Sequence, residues 1–302
     1  MWTDLGWWHW TPTPRMTLRT FVSALGVILA LVLTAVAVPA AWVDQNIVQE
    51  DGFTRIAGGL GSDPDFQARL ADAAVGSFES SVNLPGPIKS LAAGVLEQAA
   101  SGMQSWSDYP QAWEETVRNS HKLNFGAAGQ PEESGASTAL VLDIGPLVRL
   151  IRDHFADATR VRLDVPSERL ISLGEPSHRQ LVERVAAFAP LWWVAALGAL
   201  VSALLALLVA RRRPAVLAFL GLGGLAVAGL WSVGLNVSEG VVGNLSNGNE
   251  LAGLFMGKFF TAVQSGFGPW TTVAALISAA LFVIGLVAWI ISARRPSPYA
   301  RG

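Results

Sequence analysis

The sequence predicts an α-helical membrane protein with four transmembrane helices and an extracytoplasmic α+β domain, mostly helical with a small sheet. Three observations carry that prediction. Four apolar runs are each long enough to cross a hydrocarbon core of about 30 Å, which takes roughly 20 helical residues. Two of those runs are joined only by Arg211-Arg212-Arg213-Pro214. A connection that short forces an antiparallel pair, and its arginines favour the cytoplasmic side. Charge is also sorted along the chain. Arg15, Arg19, Arg294, Arg295 and Arg301 flank other membrane ends, whereas 20 acidic residues against 12 basic ones lie between Asp44 and Arg184. That is the positive-inside pattern with an acidic portion outside.

Composition narrows the classes further. Of 302 residues, 51% are apolar and only 15% charged, too apolar for an ordinary soluble domain. An acidic exterior argues against nucleic acid, whose phosphates need a basic face. The chain has no cysteine, which excludes disulfides, thiolate catalysis and cysteine-ligated metal centres. The outer portion must then be held by its own core, and its length allows one.

In chain order, residues 1–16 form a cytoplasmic Trp-rich N-terminus, with Trp2, Trp7, Trp8 and Trp10 placed to anchor in the headgroup region. Residues 17–38 are the first span. Its start, and Ala35-Val36-Ala37 near its end, resemble a signal peptide with a cleavage site. Past Arg19, however, the apolar run outlasts the usual h-region, which favours an uncleaved anchor with the N-terminus inside.

Residues 39–189 are the extracytoplasmic domain. Asp63-Pro64 reads as a helix start, with Phe66, Leu70, Ala73 and Phe78 at roughly helical spacing. Ile88, Leu91, Val95 and Ala99 mark a second helix. Pro110 starts a third that carries Trp113, Val117 and His121 on one face. Gly126 to Gly135 is a polar, Gly-rich loop. Thr138 to Ile144 then reads as a strand, and Gly145-Pro146 opens a helix with Leu147, Leu150, Ile151 and Phe155. Thr159 to Val165 alternates strictly between apolar and polar, the pattern of a strand with one wet face, and Arg169–Leu173 suits a short third strand. From Pro176 a helix bearing Leu181, Val182, Val185 and Phe188 is expected to run unbroken into the second span, residues 190–210.

The arginine turn occupies 211–214, and the third span 215–235. Residues 236–269 return outside, where Leu251, Phe255 and Phe259 sit at helical spacing and read as a short amphipathic helix on the membrane surface. The fourth span is 270–292, and residues 293–302 are a cytoplasmic tail. Arg211, Arg212, Arg213, Arg294 and Arg295 are thus the residues expected to determine topology.

No constellation for chemistry emerges. The apolar runs hold no ionisable residue, which counts against ion- or proton-coupled transport. They carry small residues at packing intervals instead, including Gly198, Ser202, Gly224 and Ala228. His121, His154 and His178 show no paired-ligand spacing, and Asp153-His154 with Asp157 reads as a solvated helix face rather than a metal site. No GxSxG, phosphate loop or GxGxxG stands in the required context. Asn236 and Asn244 match the glycosylation sequon without further support. No catalytic, cofactor or metal site is therefore predicted.

Three stretches carry a resemblance: Gln111 to His121 (QAWEETVRNSH), Leu140 to Val148 (LVLDIGPLV) and Arg211 to Pro214. With the order of spans, they make the chain similar to a group of actinobacterial integral membrane proteins lacking an assigned activity. That likeness covers nearly the whole chain apart from its Trp-rich start. It implies a bacterial plasma membrane protein and carries over no active site. The leading expectation is a non-enzymatic binding, scaffold or sensor-like protein of the cell envelope. It would act through its acidic outer domain, with the lipid bilayer and another envelope protein or lipid as partners. The alternative is a lipid- or hydrophobe-handling transport component, and an envelope hydrolase is a third reading.

Overall fold

Proline at a first helical turn sets most of the helix starts. It lacks only an N–H that has no intrahelical partner there, and its fixed φ suits the helix. The computed structural model describes residues 18–82, 86–126, 140–173, 176–242 and 250–294. The helices are α1 (Leu18–Val43), α2 (Glu50–Gly58), α3 (Pro64–Ser81), α4 (Gly86–Gly102) and α5 (Tyr109–Phe125). After strand β1 (Val141–Asp143) come α6 (Gly145–Thr159), strand β2 (Leu170–Ser172) and α7 (Pro176–Phe188). Then follow α8 (Trp192–Val209), α9 (Arg213–Val242) and α10 (Glu250–Ala293). Pro64, Pro110 and Pro146 each occupy the first turn of their helix, as the sequence predicts. The N-terminal segment 1–16, the loop from 127 to 135, Asn244, Arg295 and the side chains of Ile88, Leu91, His178 and Leu181 lie outside the described residues.

Among the described residues, four helices are long and apolar enough to cross a membrane: Leu18–Val48, Val182–Val209, Arg213–Asn236 and Leu251–Ala293. Their parts within Met1–Ala35, Ala195–Ala228 and Val273–Gly302 make one compact unit. Small residues set its contacts. Ser23 Oγ donates to the Ala206 carbonyl at 2.9 Å, and Gly26 lies against Ser202 and Ala206. A Cβ on Gly221 would come within 2.3 Å of the Phe282 backbone, and one on Gly224 within 2.3 Å of Ser278 Oγ. The small-residue intervals therefore serve packing within the chain. Large apolar side chains such as Leu208, Phe219 and Leu276 point outward at more than 60% exposure, a surface that calls for lipid rather than water.

The second unit comprises Val36–Val194 and Gly229–Thr272. Its core is aromatic. Phe66 meets Trp113 and Phe255, Phe53 meets Phe259, and Phe78 meets Phe155, all with ring centroids 5.4–6.1 Å apart. The expected face of α3 is buried at Phe66, Leu70 and Phe78, which have no exposed surface, whereas Ala73 is half-buried and Ala74 is the alanine that faces the core. The α5 face with Trp113, Val117 and His121, and the α6 face with Leu147, Ile151 and Phe155, are buried as well.

The sheet has two antiparallel strands, with Leu142 opposite Ile171. On the other edge of β1, α5 side chains stand in for a third strand. Asn124 pairs with both the N–H and the carbonyl of Val141, at 2.9 and 2.7 Å, and Ser120 Oγ accepts from the Asp143 N–H at 2.9 Å. Asp143, 1% exposed, accepts from the N–H groups of Gly145 and Arg169 and from the Asn119 amide. A buried carboxylate is tolerated where its lone pairs are filled in this way.

Three expectations are corrected. Residues 159–165 form no strand: Thr159 ends α6, Arg160 takes a left-handed cap at φ 60°, and 161–166 run without a ladder partner. The free edge of β1 is already taken, so the alternation serves only to cover the core with Val161, Leu163 and Val165. The helix from Pro176 does not run unbroken into the second span. It ends at Phe188, and a 3₁₀ turn at Ala189–Leu191 precedes α8, because Pro190 has no N–H to continue the α ladder. Finally, Leu251, Phe255 and Phe259 do not form a short separate helix with an open apolar face. Leu251 and Phe255 are 6% and 5% exposed within the aromatic core, and Phe259 packs against it. They belong to the start of α10, whose apolar face has the domain itself to cover.

Candidate functional site

The arginines expected to set the topology sit at helix ends of the first unit. Arg211 and Arg212 lie in the turn before α9, Arg213 is its first residue, and Arg294 follows α10. The histidines are equally dispersed. His121 Nε2 donates to the carbonyls of Ile47 and Val48, in the π turn Asp44–Val48, at 3.2 and 3.0 Å, while its ring stacks on Phe125. Burial lowers its pKa, partly offset by those two carbonyls. The His154 ring stacks on Trp106 at 3.8 Å, and Asp153 pairs with Arg152 at 2.8 Å. Among the described residues no group of three His, Asp or Glu side chains could hold a metal ion.

What the second unit does hold is a cleft of about 390 Å³ between α2, the 3₁₀ turn Gly59–Ser62 and the start of α5. A close approach builds it. Gly61 lies so near Trp113 that a Cβ would fall 2.2 Å from the indole Cδ1. Only glycine allows that turn to rest on the ring. The turn's carbonyls then become acceptors for the wall. Trp113 Nε1 donates to the Gly58 carbonyl at 3.2 Å, and both Tyr109 Oη (3.0 Å) and Gln67 Nε2 (2.6 Å) donate to the Gly61 carbonyl. Burial pushes the Tyr109 hydroxyl up to about 12, so it remains a neutral donor at physiological pH.

Helix α3 is fixed beside the cleft by its cap. Asp63 accepts from the Phe66 N–H at 3.1 Å and pairs with Lys258 of α10 at 2.6 Å. The bonds from Lys258 and the Phe66 N–H hold the Asp63 carboxyl below its ordinary range, and its partner's ammonium is shifted up. Ser62, Gln104 and Glu114 complete the cleft's polar lining, and Glu114 also pairs with Arg118 at 2.9 Å. One group is left over: the Thr54 hydroxyl is buried in the cleft wall and has no hydrogen-bond partner among the described residues.

Sequence reasoning singled out Trp113 only as a core residue, and it missed the cleft. Thr54, Gly61, Gln67, Gln104 and Tyr109 come from separate segments with no shared spacing. The one signal present was Gly58-Gly59 and Gly61 just ahead of a capped helix, which marks a tight turn. Comparison with protein-family models, with curated proteins and with solved structures finds no match for this chain.

Proposed function

We propose that this is a multi-pass plasma membrane protein, not an enzyme, whose acidic domain lies outside the cell and binds a small polar ligand of the envelope. Both termini and the arginine turn would be cytoplasmic, in keeping with the clustering of Arg211, Arg212, Arg213, Arg294 and Arg295 at span ends. The observation that carries the reading is the unpartnered Thr54 hydroxyl in the wall of a cleft whose other polar lining includes Ser62, Gln67, Gln104, Tyr109 and Glu114. A buried hydroxyl without a partner costs about 1–3 kcal/mol, which a ligand's polar group recovers. Amides, hydroxyls and one carboxylate suit a neutral or cationic, hydroxyl-rich molecule, such as a sugar or amino sugar, and disfavour an anion. The lipid-handling alternative loses its main support because Phe255 and Phe259 face the domain core.

The test is calorimetric titration of the full-length protein in nanodiscs against neutral sugars, amino sugars and sugar acids. Binding of the first two classes that drops about tenfold in Thr54→Val or Gln104→Ala supports the reading. A preference for the acids, or affinities unchanged by both substitutions, contradicts it.

A further inference from the structure

The membrane unit contains a second, larger cavity of about 750 Å³, within the roughly 300–1,000 Å³ typical of ligand sites. It lies between α1 and α9, beneath the turn that joins α8 to α9, with Ala24, Ile28, Val216, Phe219 and Leu222 among its walls. Ile28, Phe219 and Leu222 are each more than half exposed, so the cavity is a groove open to the side. Its deep end is set by Gly223, where a Cβ would meet Leu31 Cδ1 at 2.2 Å. Its other end is lined by Arg211 and Arg212. Both guanidinium groups are exposed, and among the described residues no carboxylate pairs with either. Helix α9 begins at Arg213, which brings the positive end of its dipole to the same place.

An apolar groove ending at two cations with no carboxylate partner among the described residues is complementary to one kind of molecule. We infer that this groove is a binding site for an anionic glycerophospholipid of the leaflet faced by the arginine turn. An acyl chain would lie between α1 and α9, with the phosphate on Arg211 and Arg212. Arginine is suited to phosphate because its planar fork donates two parallel hydrogen bonds. The inference does not rest on the outer cleft or on which side of the membrane that domain occupies.

Native mass spectrometry of the full-length protein, delipidated and titrated with phosphatidylglycerol or phosphatidylcholine, tests it. The expected result is one phosphatidylglycerol retained per chain, in preference to phosphatidylcholine. That preference should fall by about thirtyfold in R211Q/R212Q, the order that two interfacial arginines contribute. Ala24→Trp, which fills the groove and leaves the arginines in place, should abolish retention of both lipids. Inorganic phosphate in excess should not displace the lipid, which separates a phospholipid site from a phosphate site. Equal retention of the two lipids overturns the proposal, as does a preference that survives R211Q/R212Q. Displacement by phosphate, or retention undiminished in Ala24→Trp, overturns it as well.

Discussion

Gly61 and His121 are single residues on which the second unit's local geometry turns. Gly61→Ala places a methyl carbon 2.2 Å from the Trp113 indole Cδ1, so the turn or the ring must shift. Overpacking of this kind costs about 1–3 kcal/mol. A lower thermal midpoint for the purified protein, with the Thr54 cleft distorted, is the expected outcome. His121 makes stability depend on pH. Its folded pKa lies below the ordinary 6.5, chiefly through burial, so the unfolded chain takes up the proton first as pH falls. Its contribution is complete above about 6.5 and is lost progressively below it, until the folded pKa is passed. Melting temperature should therefore decline from pH 7.5 to 5.5. His121→Phe, although less stable at pH 7.5 because it strands the Ile47 and Val48 carbonyls, should show a flatter decline over that interval.

At the scale of elements, what was legible in the sequence follows from how much of each signal is local. The starts of α3, α5 and α6 were readable because proline and the Asp63 cap act within one turn. The faces of those helices were readable because 3.6-residue spacing reports burial directly. The segment 159–165 was misread because alternation records which side is covered, not whether a neighbouring strand exists. Asn124 and Ser120 had already filled the edge of β1 from twenty residues away in the chain, to the nearest ten. The start of α10 was misread for a related reason, since an amphipathic face looks the same whether lipid or protein covers it. That difference is testable. Phe255→Asp puts an unpaired charge beside Phe66 and should cost more than about 3 kcal/mol, unfolding the second unit in a proteolysis assay. A surface helix would instead lose only membrane attachment and leave the fragment pattern unchanged.

For the whole molecule, the two units differ in what stabilises them. The membrane unit relies on glycine and serine contacts between helices and leaves its large apolar side chains outward. The other unit buries an aromatic core and keeps its polar groups on hydrogen bonds such as those of Asp143 and Asn124. The cleft was not legible in the sequence because its walls are assembled by that tertiary packing alone. The central claim is that the acidic domain is outside and the arginine turn inside. The absence of native cysteine makes single-cysteine labelling in intact cells the most direct measurement. The account predicts that Glu79→Cys, on the exposed face of α3, reacts with a membrane-impermeant maleimide at once. Arg212→Cys, with Arg211 and Arg213 still in place, should react only after permeabilisation. Labelling of Arg212→Cys in intact cells, with Glu79→Cys protected, would contradict it.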